Sequence, residues 1–153
     1  MKRFIYSFAI IIIFLCFCSK DNDDNPASNQ KTKSGVLKGV VAIDFAPYSQ
    51  CQDPYVMVTS LGTNSLQQQL TYSDFRRVGN KEQASFTLGS FEGGVFSTLS
   101  PGIYSIKFEG DFNTTTHGRI NLEEKIVSTI GDTPIEVRDN QTTHIGTVTL
   151  KPR

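Results

Sequence analysis

Hydrophobic residues along this chain fall into short runs in which apolar and polar positions alternate. Alternation with a period of two places successive side chains on opposite faces of a strand, and no long stretch shows the helical period of 3.6. Residues 36–45 fit the strand pattern, with Gly39 at an expected bulge or close approach. The apolar positions on one face of this strand are Leu37, Val41, Ile43 and Phe45. The pattern therefore predicts a β-domain that opens with this strand.

Further short strands follow at intervals. They are predicted at residues 55–59, 67–72, 84–91, 125–130, 133–138 and 144–150. Residues 55–59 are apolar on both faces and predict a central strand, whereas 67–72 predict an edge strand. Residues 73–83 predict a charged excursion, and residues 111–118 predict a polar loop. About seven strands separated by Gly, Pro and Asn turns indicate an all-β fold, a Greek-key β-sandwich over residues 35–153.

A Pro-Gly turn lies in the middle of the domain. Two strand-like runs, residues 95–99 and 103–108, meet at Ser100-Pro101-Gly102. Proline fixes φ near the value that the first central position of a type I or II turn needs, and glycine supplies the positive φ of the second position in type II. The sequence therefore predicts a hairpin-like connection with Pro101 and Gly102 at its centre.

The N-terminal segment has the pattern of a secretory signal. Positive charge at Lys2 and Arg3 precedes an apolar run over residues 4–17, which only Ser7 interrupts. A transmembrane helix needs about twenty apolar residues, so this run is short for a membrane anchor, which is the alternative. A signal peptide is predicted over residues 1–17.

The end of this run, Leu15-Cys16-Phe17-Cys18, resembles the lipobox of bacterial lipoproteins. The resemblance implies that Cys18 receives acyl chains such as palmitate and becomes the first mature residue. Phe17 departs from the usual Gly, Ala or Ser, and Cys16 is an alternative acceptor. Several acyl chains on one cysteine would hold the protein to a membrane, since each buried methylene contributes about 0.8 kcal/mol.

An acidic tract follows the cysteine. Its charged residues are Lys20, Asp21, Asp23 and Asp24. The tract resembles the export signal of surface lipoproteins of Bacteroidetes, which implies an outer-membrane lipoprotein exposed at the cell surface. The alternative is a solvated spacer on a lipoprotein that faces the periplasm. Residues 18–34 are predicted to be the lipidated cysteine and a disordered tether.

The cysteine count and the net charge argue against a disulfide-bonded domain and against a nucleic-acid-binding protein. Cys51 remains alone once the signal is removed and Cys18 is lipidated, so an internal disulfide is not expected, and a buried or half-buried thiol is predicted. Loss of Lys2 and Arg3 with the signal leaves thirteen basic against fifteen acidic residues. Without a basic patch, nucleic acid is not an expected partner.

Three sequence segments resemble a known family. Gly-Val-Val at 39–41, Pro-Tyr-Val-Met-Val at 54–58 and Phe-Ser-Thr-Leu-Ser-Pro-Gly-Ile-Tyr-Ser-Ile at 96–106 resemble carboxypeptidase regulatory-like domains of the transthyretin-like, prealbumin-type fold. The closing strands at 135–150 resemble the last two strands of that fold. The resemblance spans residues 36–150 and implies a mostly noncatalytic β-sandwich module.

The sequence lacks the spacings that catalytic sites need. Its two histidines, His117 and His144, are not in a zinc-binding spacing, and there is no Gly-x-Ser-x-Gly nucleophile motif. We therefore expect neither an enzyme nor a metal or other cofactor. The alternative is a small metal-dependent or hydrolytic enzyme that uses His117 and His144 with nearby acids such as Asp111.

A noncatalytic binding or accessory module is the function that these patterns favour. The expected partners are the membrane, through the lipid, and another protein of the envelope. A carbohydrate-binding module is a lesser alternative, because sugar sites commonly use Trp and this chain has none. Among the tyrosines outside the central hairpin (Tyr48, Tyr55 and Tyr72), Tyr48 in its loop is the best candidate for stacking on a sugar.

Overall fold

The computed structural model describes residues 33–91 and 97–153, which contain eleven strands and a single 3-10 turn at Tyr72–Asp74. The strands are β1 Val36–Asp44, β2 Gln52–Leu61, β3 Gln67–Leu70, β4 Arg76–Val78, β5 Lys81–Leu88, β6 Gly102–Thr114, β7 Gly118–Asn121, β8 Lys125–Val127, β9 Thr129–Ile130, β10 Thr133–Val137 and β11 Thr142–Leu150. Within these two segments, no helix has the length and apolar character needed to cross a membrane.

The strands form two sheets. The four-stranded sheet has the order β11-β1-β5-β4, and the seven-stranded sheet has the order β3-β2-β6-β10-β9, with β7 and β8 also paired to β6. The pair β1–β11 is parallel, and the other described pairs are antiparallel. The predicted all-β sandwich is confirmed, with more strands than expected. The Greek-key connection and the transthyretin-like type remain predictions.

The core lies between the sheets because alternate residues of each strand point into it. On β6, the side chains of Tyr104, Ile106, Phe108 and Phe112 are buried. The ring of Phe86 on β5 meets that of Phe108 edge to face, with centroids 5.5 Å apart. This aromatic contact joins the two sheets, and such contacts contribute about 0.5–1.5 kcal/mol beyond the buried area.

The opening strand agrees with its predicted pattern. The four apolar positions assigned to one face are all buried, namely Leu37, Val41, Ile43 and Phe45. The register with β11 shifts between Lys38 and Val40, so the bulge predicted at Gly39 is confirmed. A Cβ at Gly39 would lie 2.6 Å from Phe86 Cζ, so a side chain there would displace the buried Phe86 ring.

The Pro-Gly segment differs from its predicted geometry. The φ of Gly102 is 157°, whereas the second central residue of a type II turn has φ near +80°, and Gly102 is already the first residue of β6. Leu99 bridges to Gly35 rather than to β6. Both edges of β6 are occupied, by β2 on one side and by β10, β8 and β7 on the other, so the predicted hairpin-like pairing is wrong for residues 97–99. Residues 95 and 96 lie outside the described residues.

A side-chain clamp holds the segment before β6. The Nδ2 group of Asn64 donates to the Thr98 carbonyl at 2.6 Å, and Asn64 Oδ1 accepts from the Ser100 amide at 2.9 Å. The hydroxyl of the buried Tyr104 lies 2.6 Å from Asn64 Oδ1 and 2.8 Å from the Ser100 carbonyl oxygen, and these two acceptors share its single proton. Asn64 therefore links the β2–β3 turn to the entry of β6.

Several polar segments are strands rather than loops. The charged excursion predicted at 73–83 contains β4 and the start of β5, and the polar loop predicted at 111–118 contains the end of β6 and the start of β7. The single strand predicted at 125–130 is divided into β8 and β9. The predictions miss β4 and β7 because backbone ladder bonds form there while most side chains stay exposed, so hydrophobic periodicity is weak. The predicted interior strand at 55–59 and edge strand at 67–72 are confirmed as β2 and β3.

Candidate functional site

Two connections meet where β2 begins beside the end of β6, since Gln52 pairs with Asn113. Residues 47–50 of the β1–β2 connection and residues 114–117 of the β6–β7 turn line a groove of about 400 Å³. We call it the loop-end groove. Its volume lies within the range of about 300–1,000 Å³ typical of small-molecule sites.

One wall of the loop-end groove is aromatic. The half-buried ring of Tyr48 meets the fully buried ring of Phe112 edge to face, with centroids 5.8 Å apart. The imidazole of His117 also meets Tyr48 edge to face, with centroids 5.4 Å apart. Because Phe112 belongs to the core strand β6, the sandwich fixes the position of Tyr48. Tyr48 therefore packs against the core through Phe112 and also lines the groove.

Hydrogen bonds fix the shape of the groove. The Thr115 hydroxyl donates to Gln50 Oε1 at 3.3 Å and so joins the two connections. The His117 amide donates to Thr114 Oγ1 at 2.9 Å, which closes the β6–β7 turn. The Thr116 hydroxyl lies 2.7 Å from His117 Nδ1, and Nε2 of that ring has no protein partner among the described residues. The eight lining residues include no Asp, Glu, Lys or Arg, so the groove presents hydroxyl, amide, phenol and imidazole groups only.

A second surface is the outer face of the seven-stranded sheet. The residues that define this sheet face are Tyr55, Met57, Leu61, Ile103 and Ile126. Strand alternation places them there, because their neighbours Val56, Val58 and Tyr104 point into the core. Leu61, Ile103 and Ile126 are 40%, 59% and 54% exposed, and Tyr55 and Met57 are half-buried. The sheet face therefore combines several apolar side chains that the sandwich does not cover.

Ion pairs occupy the middle of the sheet face. Lys107 Nζ lies 2.8 Å from Glu109 Oε2 and 3.1 Å from Glu124 Oε2. The hydrogen bonds to Glu109 and then to Glu124 raise the pKa of Lys107 above its ordinary value, so Lys107 stays charged. Asp111 forms a further ion pair with Arg119. Charges on this face are thus paired with one another.

The residues of the alternative enzyme site are not brought together. His117 lies in the loop-end groove beside Tyr48, whereas His144 is on β11 in register with Lys38 of β1. Asp111 is paired with Arg119. In the described part of the chain, no three His, Cys, Asp or Glu side chains form a group able to hold a metal ion. The convergence that the alternative requires is therefore not found.

Cys51 is a half-buried free thiol, as predicted. Burial, and to a lesser extent the charge of Glu82, raises the pKa of Cys51 to about 12, while Arg77 acts in the opposite direction. A thiol that stays protonated is a poor nucleophile. The predicted lipidation site Cys18 lies outside the described residues, as does the predicted export signal of Lys20, Asp21, Asp23 and Asp24.

Sequence reasoning found Tyr48 but missed its surroundings. The sequence predicts a polar loop at the threonines 114–116, and nothing in their spacing connects them with residues 47–50. The pairing of β2 with β6 creates that proximity. The sheet face had a detectable signal, since Ile103 and Ile126 occupy the outward positions of their strands. Period-2 alternation gives the face of each residue but not the strand that lies beside it.

The chain matches no protein-family model, and no curated protein matches it. Among solved structures, the crystal structure of a DUF4876 family protein from Bacteroides thetaiotaomicron is similar to this chain, with 13% sequence identity and a TM-score of 0.36. The similarity covers 76% of this chain and 23% of that chain, so this chain spans less than a quarter of the length of that protein. A likeness at this TM-score establishes neither the fold nor the function of this chain.

Proposed function

We propose that this chain is a noncatalytic binding or accessory module of the cell envelope, and that the sheet face binds another envelope protein. The observation that supports the proposal is the exposure of Leu61, Ile103 and Ile126, at 40%, 59% and 54%, on one face of one sheet. Single exposed apolar residues are normal on protein surfaces, but their grouping on one face is typical of protein interfaces.

The composition of the sheet face fits a protein partner. Tyr and Met are enriched at the centres of protein interfaces, and Tyr55 and Met57 lie on β2 beside the exposed residues. The ion pairs of Lys107 with Glu109 and Glu124 offer both signs of charge for polar contacts at the rim. Apolar side chains flanked by paired charges along one sheet face are the mixture that protein interfaces present.

The membrane attachment in this proposal is inferred from the N-terminal sequence motifs. Acyl chains on Cys18 would hold the module at the outer membrane, and the tract of Lys20, Asp21, Asp23 and Asp24 would direct it to the cell surface; without that export it would face the periplasm. A tethered module meets its partner at a raised effective concentration, so an interface of moderate area is sufficient. The proposal therefore joins a lipid tether to a binding face.

Site-specific photo-crosslinking in intact cells tests the proposal. A photoreactive amino acid at Ile103 should give a discrete crosslinked species, whereas the same group at Val78, which is 54% exposed on β4 of the other sheet, should give none. Ile126→Glu should abolish the species, because a charge in an apolar contact costs binding energy, and Val78→Glu should leave it unchanged. Equal crosslinking from both positions, or none from Ile103, would show that the sheet face is not the interface.

A further inference from the structure

We propose that the loop-end groove binds a neutral saccharide, with one sugar ring placed against Tyr48. This is a second site, separate from the sheet face, and it goes beyond the proposed protein interaction. The inference depends on three features of the groove: its rigid aromatic wall, its many uncharged hydrogen-bonding groups and its lack of charged residues.

The aromatic wall suits the apolar face of a pyranose. The C–H bonds on one face of a sugar ring are slightly positive, and the face of an aromatic ring is negative, so the two attract. Tyr48 supplies such a ring, and its contacts with Phe112 at 5.8 Å and with His117 at 5.4 Å hold it in place before a ligand arrives. A wall that is already ordered loses little entropy when a ligand binds.

The polar groups suit sugar hydroxyls. Hydroxyls both donate and accept, and they need partners that do the same. Thr115 and Thr116 present hydroxyls, Gln50 presents an amide, and His117 presents an Nε2 that has no protein partner among the described residues. The Nδ1 of His117 is occupied by Thr116 at 2.7 Å, which fixes the orientation of the ring. A ligand hydroxyl would therefore find donors and acceptors around the aromatic wall.

The absence of charged lining residues selects the class of saccharide. An acidic sugar entering the groove would give up part of its hydration without meeting a Lys or Arg, and this desolvation is costly. A neutral sugar pays no such penalty. The lack of Trp lowered the expectation of a sugar site at the level of sequence, but the supporting contacts of Tyr48 make a smaller aromatic ring sufficient.

Titration with defined sugars tests the inference. The full chain, purified without sugar-based detergents, is titrated with neutral trisaccharides of glucose, mannose, galactose and xylose, and with trigalacturonic acid. Saturation-transfer NMR and calorimetry are the measurements. At least one neutral trisaccharide should bind at concentrations up to about 10 mM, which saturates a site with a millimolar Kd, and trigalacturonic acid should bind more weakly. No binding by any neutral trisaccharide, or preferential binding of the acidic one, would overturn the inference.

Variants locate the site. Tyr48→Ala should weaken binding by about tenfold or more, whereas Tyr72→Ala, which removes a tyrosine that is 67% exposed elsewhere, should change it by less than about twofold. If Tyr48→Ala does not fold, the exposed substitutions Thr116→Val and His117→Ala decide the question, and each should weaken binding by about threefold or more. Unchanged binding in these variants would place the sugar elsewhere and refute the inference. Crosslinking from Ile103 should persist in all of them, so failure at the groove is distinguishable from failure at the sheet face.

Discussion

Replacing Asn64 by alanine should lower the free energy of unfolding markedly, although nothing in the sequence singles this residue out. The Asn64 side chain makes three hydrogen bonds, with the Thr98 carbonyl at 2.6 Å, the Ser100 amide at 2.9 Å and the Tyr104 hydroxyl at 2.6 Å. Thr98 and Tyr104 are 6% and 1% exposed, so water cannot readily replace the lost partner. The substitution therefore leaves the carbonyl of the buried Thr98 without its partner, which is costlier than losing an exposed bond, while the Tyr104 hydroxyl keeps the Ser100 carbonyl.

The magnitude follows from these bonds. Each contributes about 0.5–1.5 kcal/mol net, so Asn64→Ala should lower the free energy of unfolding by about 2–4 kcal/mol. Tyr104→Phe removes only the hydroxyl and should cost about 1–2 kcal/mol. The double variant should cost less than the sum of the two by about 0.5 kcal/mol or more, because both single changes remove the same contact.

Urea unfolding of the four proteins in this cycle, followed by circular dichroism, measures these values. Ser65→Ala is the matched control, since Ser65 is exposed in the same turn, and it should change stability by less than about 0.5 kcal/mol. Strict additivity of Asn64→Ala and Tyr104→Phe would refute the direct contact. A loss below about 0.5 kcal/mol for Asn64→Ala would refute the clamp as a whole.

Two further predictions concern the cysteines. Cys18→Ala should release the chain from the membrane fraction and abolish incorporation of labelled palmitate, and the same result from Cys16→Ala alone would move the acceptor to Cys16. Because burial raises the pKa of Cys51 to about 12, iodoacetamide at pH 9 should alkylate Cys51 slowly in the folded protein and quickly in urea, where the pKa returns to about 8.5. Between about pH 8.5 and 12 the thiol ionises in the unfolded chain but not in the folded one, so the free energy of unfolding should fall as pH rises through this range. Cys51→Ala removes this group and should show a smaller fall. Equal alkylation rates in the two states would contradict the assigned burial.

The fold was predictable where burial imposes a pattern. The alternation in β1 predicts its start, its end to within one residue and its buried face, and at Gly39, the site of the bulge, a Cβ would meet Phe86. Two of the failures, β4 and β7, lie where most side chains are exposed. All three residues of β4 are exposed, and so are three of the four in β7, so their place in the sheets depends on backbone pairing with β5 and β6. Sequence periodicity contains no information about such ladders.

In the candidate sites, too, single residues are predictable from the sequence but their spatial neighbours are not. Tyr48 could be selected because an aromatic residue in a loop is conspicuous, but its proximity to His117 and the threonines comes from the register of β2 with β6. The type II turn at Pro101 was expected from local preferences, yet Gly102 begins β6 with φ 157°. The pairing of Gly102 with Val137 of β10 holds this residue in an extended conformation, and this tertiary requirement overrides the local turn preference.

Strand β6 connects both proposed surfaces to the core. Its side chains point alternately into the core and outwards, so inward and outward residues have different roles. Its inward residues include Tyr104, which completes the Asn64 clamp, and Phe112, which supports Tyr48 in the loop-end groove. Its outward residues include Ile103 and Lys107 on the sheet face. A substitution at an outward position removes few buried contacts, so it changes the binding surface at little cost in stability. A substitution at Phe112 would affect both folding and the shape of the groove. Variants that test function therefore belong at the outward positions of β6 and in the turn beyond Thr114, where a change in binding can be separated from a change in stability.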